Sequence, residues 1–198
     1  MTTFTHTLTP IALEVGARVR QPARAALDRV TMNSPALEVM TDLRRSRAVT
    51  IAPDTPVPIA LTVMIHANVR LLVVLGTAGL VCGLISARDL GGEEPLRIAA
   101  RERIAHESVQ VAQVMTPIDG MRPLDLGQVE HAMVRDVVRH LIDTRRQHVL
   151  VLERLAAADY AACGIFSATQ IGRQLGHELV LDDGRAQSFS ELERLLGL

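Results

Sequence analysis

The sequence predicts a mixed α/β fold built from two related halves, each with the order strand, helix, strand, strand, helix. Three segments recur at separations of 75, 77 and 81 residues: Val-Met-Thr at 39–41 and 114–116, an apolar run at 71–75 and 148–152, and Cys-Gly-apolar-apolar-Ser at 82–86 and 163–167. The largest step in separation falls at a hairpin tip, where a duplicated unit tolerates insertion. A duplication therefore accounts for the pattern.

The first half begins with a short strand at residues 48–52. Asp54-Thr55-Pro56 then predicts a helix start, because a capping side chain precedes proline at the first helical position. Apolar residues at helical spacing extend this helix to about Ala67.

Residues 71–87 carry no charge and approach the roughly 17-residue minimum of a membrane helix. We favour a strand hairpin instead, because the turn residues 76–79 separate two valine-rich runs at 71–75 and 80–86. A further helix is expected to begin near Ser86.

The second half repeats this order with a clearer helix. A stripe of apolar residues predicts one continuous helix from about Gly127 to Asp143. Its first strand, around residues 121–126, is interrupted by Pro123, which indicates an edge position or a loop.

The flanks and the connector complete the expected organisation. Ser34-Pro35 predicts a short helix through Met40, Pro95 opens a charged helix to about residue 107, and Ser190 with Glu193 caps a last helix after a strand at 179–181. We expect five segments: an N-terminal arm (1–33), a first repeat (34–92), a linker helix (93–108), a second repeat (109–176) and a C-terminal strand and helix (177–198).

Composition narrows the function. The net charge is −1, which disfavours nucleic acid and anionic membranes as partners. All 21 basic residues are arginine, which excludes Schiff-base, P-loop and kinase lysines. Cys82 and Cys163 alone cannot form a four-ligand zinc site, so we expect no structural zinc. With no targeting or membrane segment visible, we expect a reduced, cytoplasmic protein without a membrane partner.

The ordered set of motifs resembles a tandem pair of cystathionine-β-synthase (CBS) domains, the Bateman module, over residues 34–176. The first half matches well and ends in Gly83-Leu84-Ile85-Ser86-Ala87-Arg88-Asp89-Leu90. The second half is looser, with Gln170 where the motif has aspartate. The resemblance implies two βαββα repeats about a pseudo-twofold axis, a stand-alone bacterial type of CBS pair, and pairing into a homodimer.

The resemblance also implies a ligand. The cleft of CBS pairs binds AMP, ADP, ATP or S-adenosylmethionine, none of them a required cofactor. Carried over by position, Asp89 bonds the ribose hydroxyls, Ser86 contacts phosphate or ribose, Arg70 pairs with phosphate and Thr50 lines the cleft. A carboxylate can accept hydrogen bonds from both vicinal hydroxyls, each contributing about 1.5 to 3 kcal/mol.

A second site is possible around His148, Ser167 and Gln170. A purely structural alternative stands beside both sites, because Ser86-x-x-Asp89 and Ser167-x-x-Gln170 are capping-box patterns that need no ligand.

We therefore expect a regulatory, non-enzymatic module that binds an adenine nucleotide and signals to an unidentified downstream protein. The alternative is a scaffold that dimerises through its repeats with empty clefts, and Gln170 in place of aspartate favours it. An enzyme is disfavoured, since the sequence has no nucleophile with its base, metal motif or glycine-rich phosphate loop.

Overall fold

A computed structural model describes residues 29–156, 159–177 and 179. The last helix expected from Ser190, the strand expected at 179–181 apart from Leu179, and most of the arm 1–33 lie outside the described residues.

The described residues form two four-stranded sheets flanked by helices. The strands are β1 (Thr41–Asp42), β2 (Thr50–Ile51), β3 (Leu71–Leu75), β4 (Val81–Ser86), β5 (Thr116–Pro117), β6 (Leu124–Asp125), β7 (His148–Ala156) and β8 (Asp159–Ser167). The helices are α1 (Val57–His66), α2 (Ala87–Gly91), α3 (Glu94–Glu102), α4 (Val111–Val114), α5 (Leu126–Val129), α6 (Val134–Thr144) and α7 (Ala168–Leu175). The expected mixed α/β class and the β-α-β-β-α order of each half are confirmed.

The two repeats exchange their first segments. The sheet orders are β2-β3-β4-β5 and β1-β8-β7-β6, so β5 pairs antiparallel with β4 and β1 pairs antiparallel with β8. Each Val-Met-Thr segment thus completes the sheet of the other repeat. The first strand of each repeat in sequence is therefore part of the other repeat's sheet.

The exchange explains the glycine that precedes the apolar pair in each copy. A Cβ at Gly83 would lie 2.6 Å from the carbonyl oxygen of Thr116, and one at Gly164 would overlap the side chain of Met40. Only glycine leaves room for the exchanged segment to approach the strand this closely.

Side chains alternate between the two faces of each strand, and the buried apolar ones among the described residues form three clusters. Val73 and Leu84 of the first sheet form one cluster with Leu150 and Ile165 of the second sheet and with Met121, which precedes β6. The strand residues on the opposite faces pack against helices, in one cluster for each repeat. Because one core lies between the sheets, the two repeats pack as one unit.

The helix expected over residues 127–143 is wrong in one respect, because it is broken into α5 and α6. The backbone N–H of Met133 donates to the carboxylate of Asp136 at 2.9 Å and caps α6. The chain near Ser34 pairs with the break: Val134 N donates to Ser34 O and Ala36 N donates to Ala132 O, both at 2.9 Å. Apolar periodicity cannot reveal a break that a distant backbone segment stabilises.

Other expected elements are shorter than predicted. The linker helix α3 ends at Glu102 because Arg103 adopts a left-handed conformation, and a 3₁₀ turn, His106–Ser108, follows. The segment after Pro35 is a 3₁₀ helix, Ala36–Val39. β6 lies at the edge of its sheet, as Pro123 indicated.

The uncharged stretch at 71–87 folds as the expected hairpin. β3 and β4 pair antiparallel from Leu71↔Ser86 to Leu75↔Val81. Among the helices of the described ranges, none is both long and apolar enough to cross a membrane.

Candidate functional site

A cavity of about 590 Å³ lies between the two repeats, where β4 and β8 pass into helices. Ser86 and Ser167 end these strands, and each has a register partner at the start of the neighbouring strand, Leu71 and His148 respectively. All four residues line the cavity. The duplication therefore places two equivalent strand-to-helix junctions at one opening.

The first junction is a complete capping box. Asp89 Oδ2 accepts hydrogen bonds from Ser86 N at 2.8 Å and from Ser86 Oγ at 2.7 Å, while Asp89 N donates to Ser86 Oγ at 3.3 Å. The capping alternative raised by the sequence is thus present. Asp89 nevertheless lines the cavity, and its Oδ1 has no hydrogen bond with any residue in the described ranges. One carboxylate oxygen keeps its full acceptor capacity.

The second junction is built differently, and the capping box expected at Ser167-x-x-Gln170 is wrong. Ser167 occupies the N-cap position of α7 without a side-chain capping bond. Gln170 Oε1 instead accepts a hydrogen bond from Thr41 Oγ1 at 3.1 Å. The strand exchange brings Thr41 to this point, so tertiary structure rather than local capping determines the role of Gln170.

His148 is the ionisable side chain from the second repeat that interacts electrostatically with Asp89. Burial lowers the pKa of His148 below its ordinary value, and the nearby Asp89 carboxylate partly opposes this effect. The imidazole is therefore neutral at pH 7, with one ring nitrogen able to donate a hydrogen bond and the other to accept.

Six of the seven residues singled out from the sequence line this one cavity: Arg70, Ser86, Asp89, His148, Ser167 and Gln170. Residues expected at two separate sites therefore share one space. Thr50 is not among the lining residues; it lies on β2 at the edge of the first sheet.

Sequence reasoning missed other polar residues of the cavity. Thr116 arrives through the strand exchange, and Arg88, Arg145, Arg146 and Arg173 add positive charge. A signal for the pair 145–146 existed in the sequence, because these positions hold Asn68-Val69 in the first copy. Comparing where two copies differ, rather than where they agree, would have found them.

The cysteines and the metal-binding side chains show no competing site. Cys82 and Cys163 are free, and their thiols donate to the carbonyl oxygens of Val74 and Val151 at equivalent places in the two hairpins. Burial raises the pKa of the Cys163 thiol, which keeps it protonated and unreactive. Within the part of the chain that the structure describes, no three His, Cys, Asp or Glu side chains converge on a metal position.

Residues 36–90 match the family model of the CBS domain. The first repeat therefore matches a CBS domain. The fold of the chain is that of a CBS pair, similar to a conserved protein from Pyrococcus horikoshii, with 19% identity, a TM-score of 0.52, and coverage of 76% of this chain and 98% of that one. A comparison with curated proteins finds no significant relative.

Two further CBS structures support the same fold assignment. The CBS-domain protein ATU1752 from Agrobacterium tumefaciens gives 19% identity, a TM-score of 0.51, and coverage of 78% of this chain and 98% of that one. The CBS domain of a bacterial CNNM/CorC family Mg²⁺ transporter, solved with an inhibitor, gives 16% identity, a TM-score of 0.51, and coverage of 75% and 80%. At these identities the likeness establishes the fold alone.

Proposed function

We propose that this protein is a regulatory, non-catalytic module that binds an adenosine-containing nucleotide in the cavity between its repeats. The observation that carries the proposal is that both repeats contribute polar side chains to one cavity, with Asp89 as the one carboxylate that the described residues place there. No metal or cofactor is required for this binding.

The lining suits the three parts of a nucleotide. Leu71, Leu84 and Met121 offer an apolar surface to a planar base. Asp89 retains a carboxylate oxygen for the ribose hydroxyls, and arginines are available to the phosphates. The ribose and phosphate roles were assigned to Asp89 and Arg70 from the resemblance, and they stay proposals for this chain.

Regulation follows from the position of the cavity. A ligand that contacts both repeats binds more tightly to the relative orientation that brings its partners together, and it shifts the population toward that orientation by this difference in affinity. The downstream protein would read the new orientation. A ligand that binds both orientations equally would leave the signal unchanged.

Thermal unfolding with and without ligand tests the proposal. A ligand at about 100 times its Kd should stabilise the protein by about 2.7 kcal/mol. We expect AMP, ADP, ATP or S-adenosylmethionine to raise the Tm, and Asp89→Asn to weaken binding about tenfold while its amide oxygen preserves the cap. Asp54→Asn is the matched control, since Asp54 is exposed and does not line the cavity.

Two outcomes would contradict the proposal. If none of the four compounds raises the Tm, the chain is a scaffold with an empty cleft. If Asp89→Asn leaves the rise intact, the ribose assignment fails.

A homodimer is the second part of the proposal. The outward face of α1 is apolar, with Ile59 and Ile65 53% and 68% exposed. At the corresponding positions of α6, Asp136 replaces Ile59, and Ile142, which replaces Ile65, is partly buried against the core of its own repeat. A second copy of the chain would cover the apolar face through a self-complementary contact.

Light scattering after size-exclusion chromatography tests the dimer. We expect a dimer for the native protein and a monomer for Ile65→Glu. Leu155→Glu is the control, because Leu155 is 60% exposed on the β7–β8 hairpin, away from α1. A monomeric native protein, or equal effects of the two substitutions, would contradict the assignment. The same proposal places the protein in the cytoplasm, where two free thiols stay reduced.

A further inference from the structure

The cavity concentrates positive charge far beyond the average of the chain. Among the residues that the structure describes, five arginines line it, namely Arg70, Arg88, Arg145, Arg146 and Arg173, whereas Asp89 is the one acidic residue that does. Both repeats contribute to the set. The near balance of charge over the whole chain is therefore broken at this one place.

Within the described ranges, these five guanidinium groups have no counter-ion. None of them forms an ion pair or a side-chain hydrogen bond with any residue in the described part of the chain. Elsewhere, by contrast, Arg44 pairs with Asp42 at 2.9 Å and Arg97 pairs with Glu94 at 2.8 Å. Clustered like charges repel one another, so an unpaired set around one cavity destabilises the free protein and favours a bound anion.

The backbone at Arg145 gives a second, independent indication. Arg145 has a φ of 52°, in the left-handed region, and ends α6. The equivalent residue at the end of α1 is Asn68, also with a φ of 52°, and the two turns share the same backbone bonds, Asn68 N to Ile65 O and Arg145 N to Ile142 O.

Asparagine tolerates the left-handed conformation better than most residues, whereas arginine is strained there. The second copy therefore accepts strain at the position that points an extra guanidinium group toward the cavity wall. Arg103 and Arg122 are left-handed as well but do not line the cavity, so Arg145 is distinguished by having both features at once.

We propose that the cavity selects a nucleotide with a polyphosphate chain, so that ATP and ADP bind more tightly than AMP, and all of them bind more tightly than S-adenosylmethionine. This inference rests on the proposed function and narrows its ligand class. Arginine forks bind phosphate oxygens through paired charge-assisted hydrogen bonds, and several forks match several phosphates. S-adenosylmethionine has no phosphate and carries a sulfonium cation, which the five arginines repel.

Isothermal titration calorimetry at fixed ionic strength tests the proposal with adenosine, AMP, ADP, ATP, S-adenosylmethionine and inorganic triphosphate. We expect affinity to rise with each added phosphate and S-adenosylmethionine to bind at least about a hundredfold more weakly than ATP, as two lost charge-assisted bonds would give. Raising the salt concentration should weaken the binding of ATP more than the binding of AMP.

Variants identify the residues. Arg145→Asn installs the residue of the first repeat. It should weaken the binding of ATP about tenfold and leave the binding of adenosine unchanged. Arg146→Gln should do the same, and it provides a second variant with an ordinary backbone. Arg97→Asn is the control, because Arg97 lies outside the cavity and pairs with Glu94.

Each outcome separates this inference from the proposed function. Equal affinities for adenosine, AMP and ATP, or tightest binding of S-adenosylmethionine, would overturn the polyphosphate selection and leave the adenosine site standing. If inorganic triphosphate binds as tightly as ATP, the anion site is supported, but the adenosine part adds no affinity and the proposed adenosine recognition is overturned. An absence of binding by every compound would overturn both.

Discussion

The two strand-to-helix junctions share a backbone and differ in chemistry. At the first, Ser86 and Asp89 bond to each other through Asp89 Oδ2, and Asp89 also lines the cavity. At the second, Ser167 makes no capping bond and Gln170 bonds to Thr41 of the other repeat. Duplication fixed the geometry of both junctions, whereas their side chains diverged.

The turns before β3 and β7 diverge in a complementary way. Asn68-Val69 in the first copy corresponds to Arg145-Arg146 in the second. The first repeat therefore supplies Asp89 to the cavity, and the second supplies three of the five arginines among the described lining residues, two of them at this turn. On the proposed function, the two copies would serve different parts of one ligand.

The largest expected effect comes from crowding the exchanged strands. Gly83→Ala should destabilise the protein by about 2 kcal/mol, because its Cβ would meet a backbone oxygen that cannot move away. Gly164→Ala should cost about half as much, since its Cβ meets the flexible side chain of Met40. Urea denaturation measures both. Equal losses, or a larger loss at Gly164, would show that the two crossings are not packed as described.

The next largest effect is a difference in helix capping between the two junctions. Ser86→Ala should lower the unfolding free energy by about 1 kcal/mol, because it removes the acceptor for Asp89 N and a donor to Asp89 Oδ2. Ser167→Ala should change it by less than about 0.5 kcal/mol, since Ser167 makes no capping bond. Equal losses of unfolding free energy in the two variants would show that both serines cap their helices and would contradict this prediction.

A smaller effect concerns pH. Burial lowers the pKa of His148 in the folded state, so the unfolded chain takes up a proton first as the pH falls below about 6.5. Stability should therefore decrease from pH 7 toward pH 5. His148→Leu, which installs the residue that Leu71 provides in the first repeat, should flatten this part of the Tm–pH curve. An unchanged slope in His148→Leu would contradict the assignment.

The smallest expected effect on stability is at the left-handed turn. Arg145→Asn should leave the Tm unchanged or raise it slightly, because asparagine relieves the strain at a φ of 52°. Asn68→Arg is the reciprocal variant and should lower the Tm. A clear loss in Arg145→Asn would indicate that the arginine has a structural role.

The sequence predicted what depends on local pattern. The β3–β4 hairpin followed from two apolar runs around turn residues, and the Ser86–Asp89 cap followed from its spacing. The recurrence of the same segments in both halves predicted the fold class. Matching strings located six of the cavity residues because equivalent residues of two copies lie at equivalent junctions.

The sequence could not predict what depends on distant partners. The break between α5 and α6 requires the backbone near Ser34, and the bond of Gln170 requires the exchanged Thr41. The arginines of the cavity were missed for a related reason. Their role becomes visible only when the fold brings Arg70, Arg145 and Arg173 to one space, where no carboxylate of the described residues pairs with them.

A crystal structure of the protein with ATP tests the central claim most directly. The account predicts one nucleotide in the cavity between the repeats, with its ribose hydroxyls on the Asp89 carboxylate and its phosphates on arginines that include Arg145 or Arg146. A nucleotide bound elsewhere, or bound in the cavity with its phosphates turned to solvent away from the arginines, would contradict it.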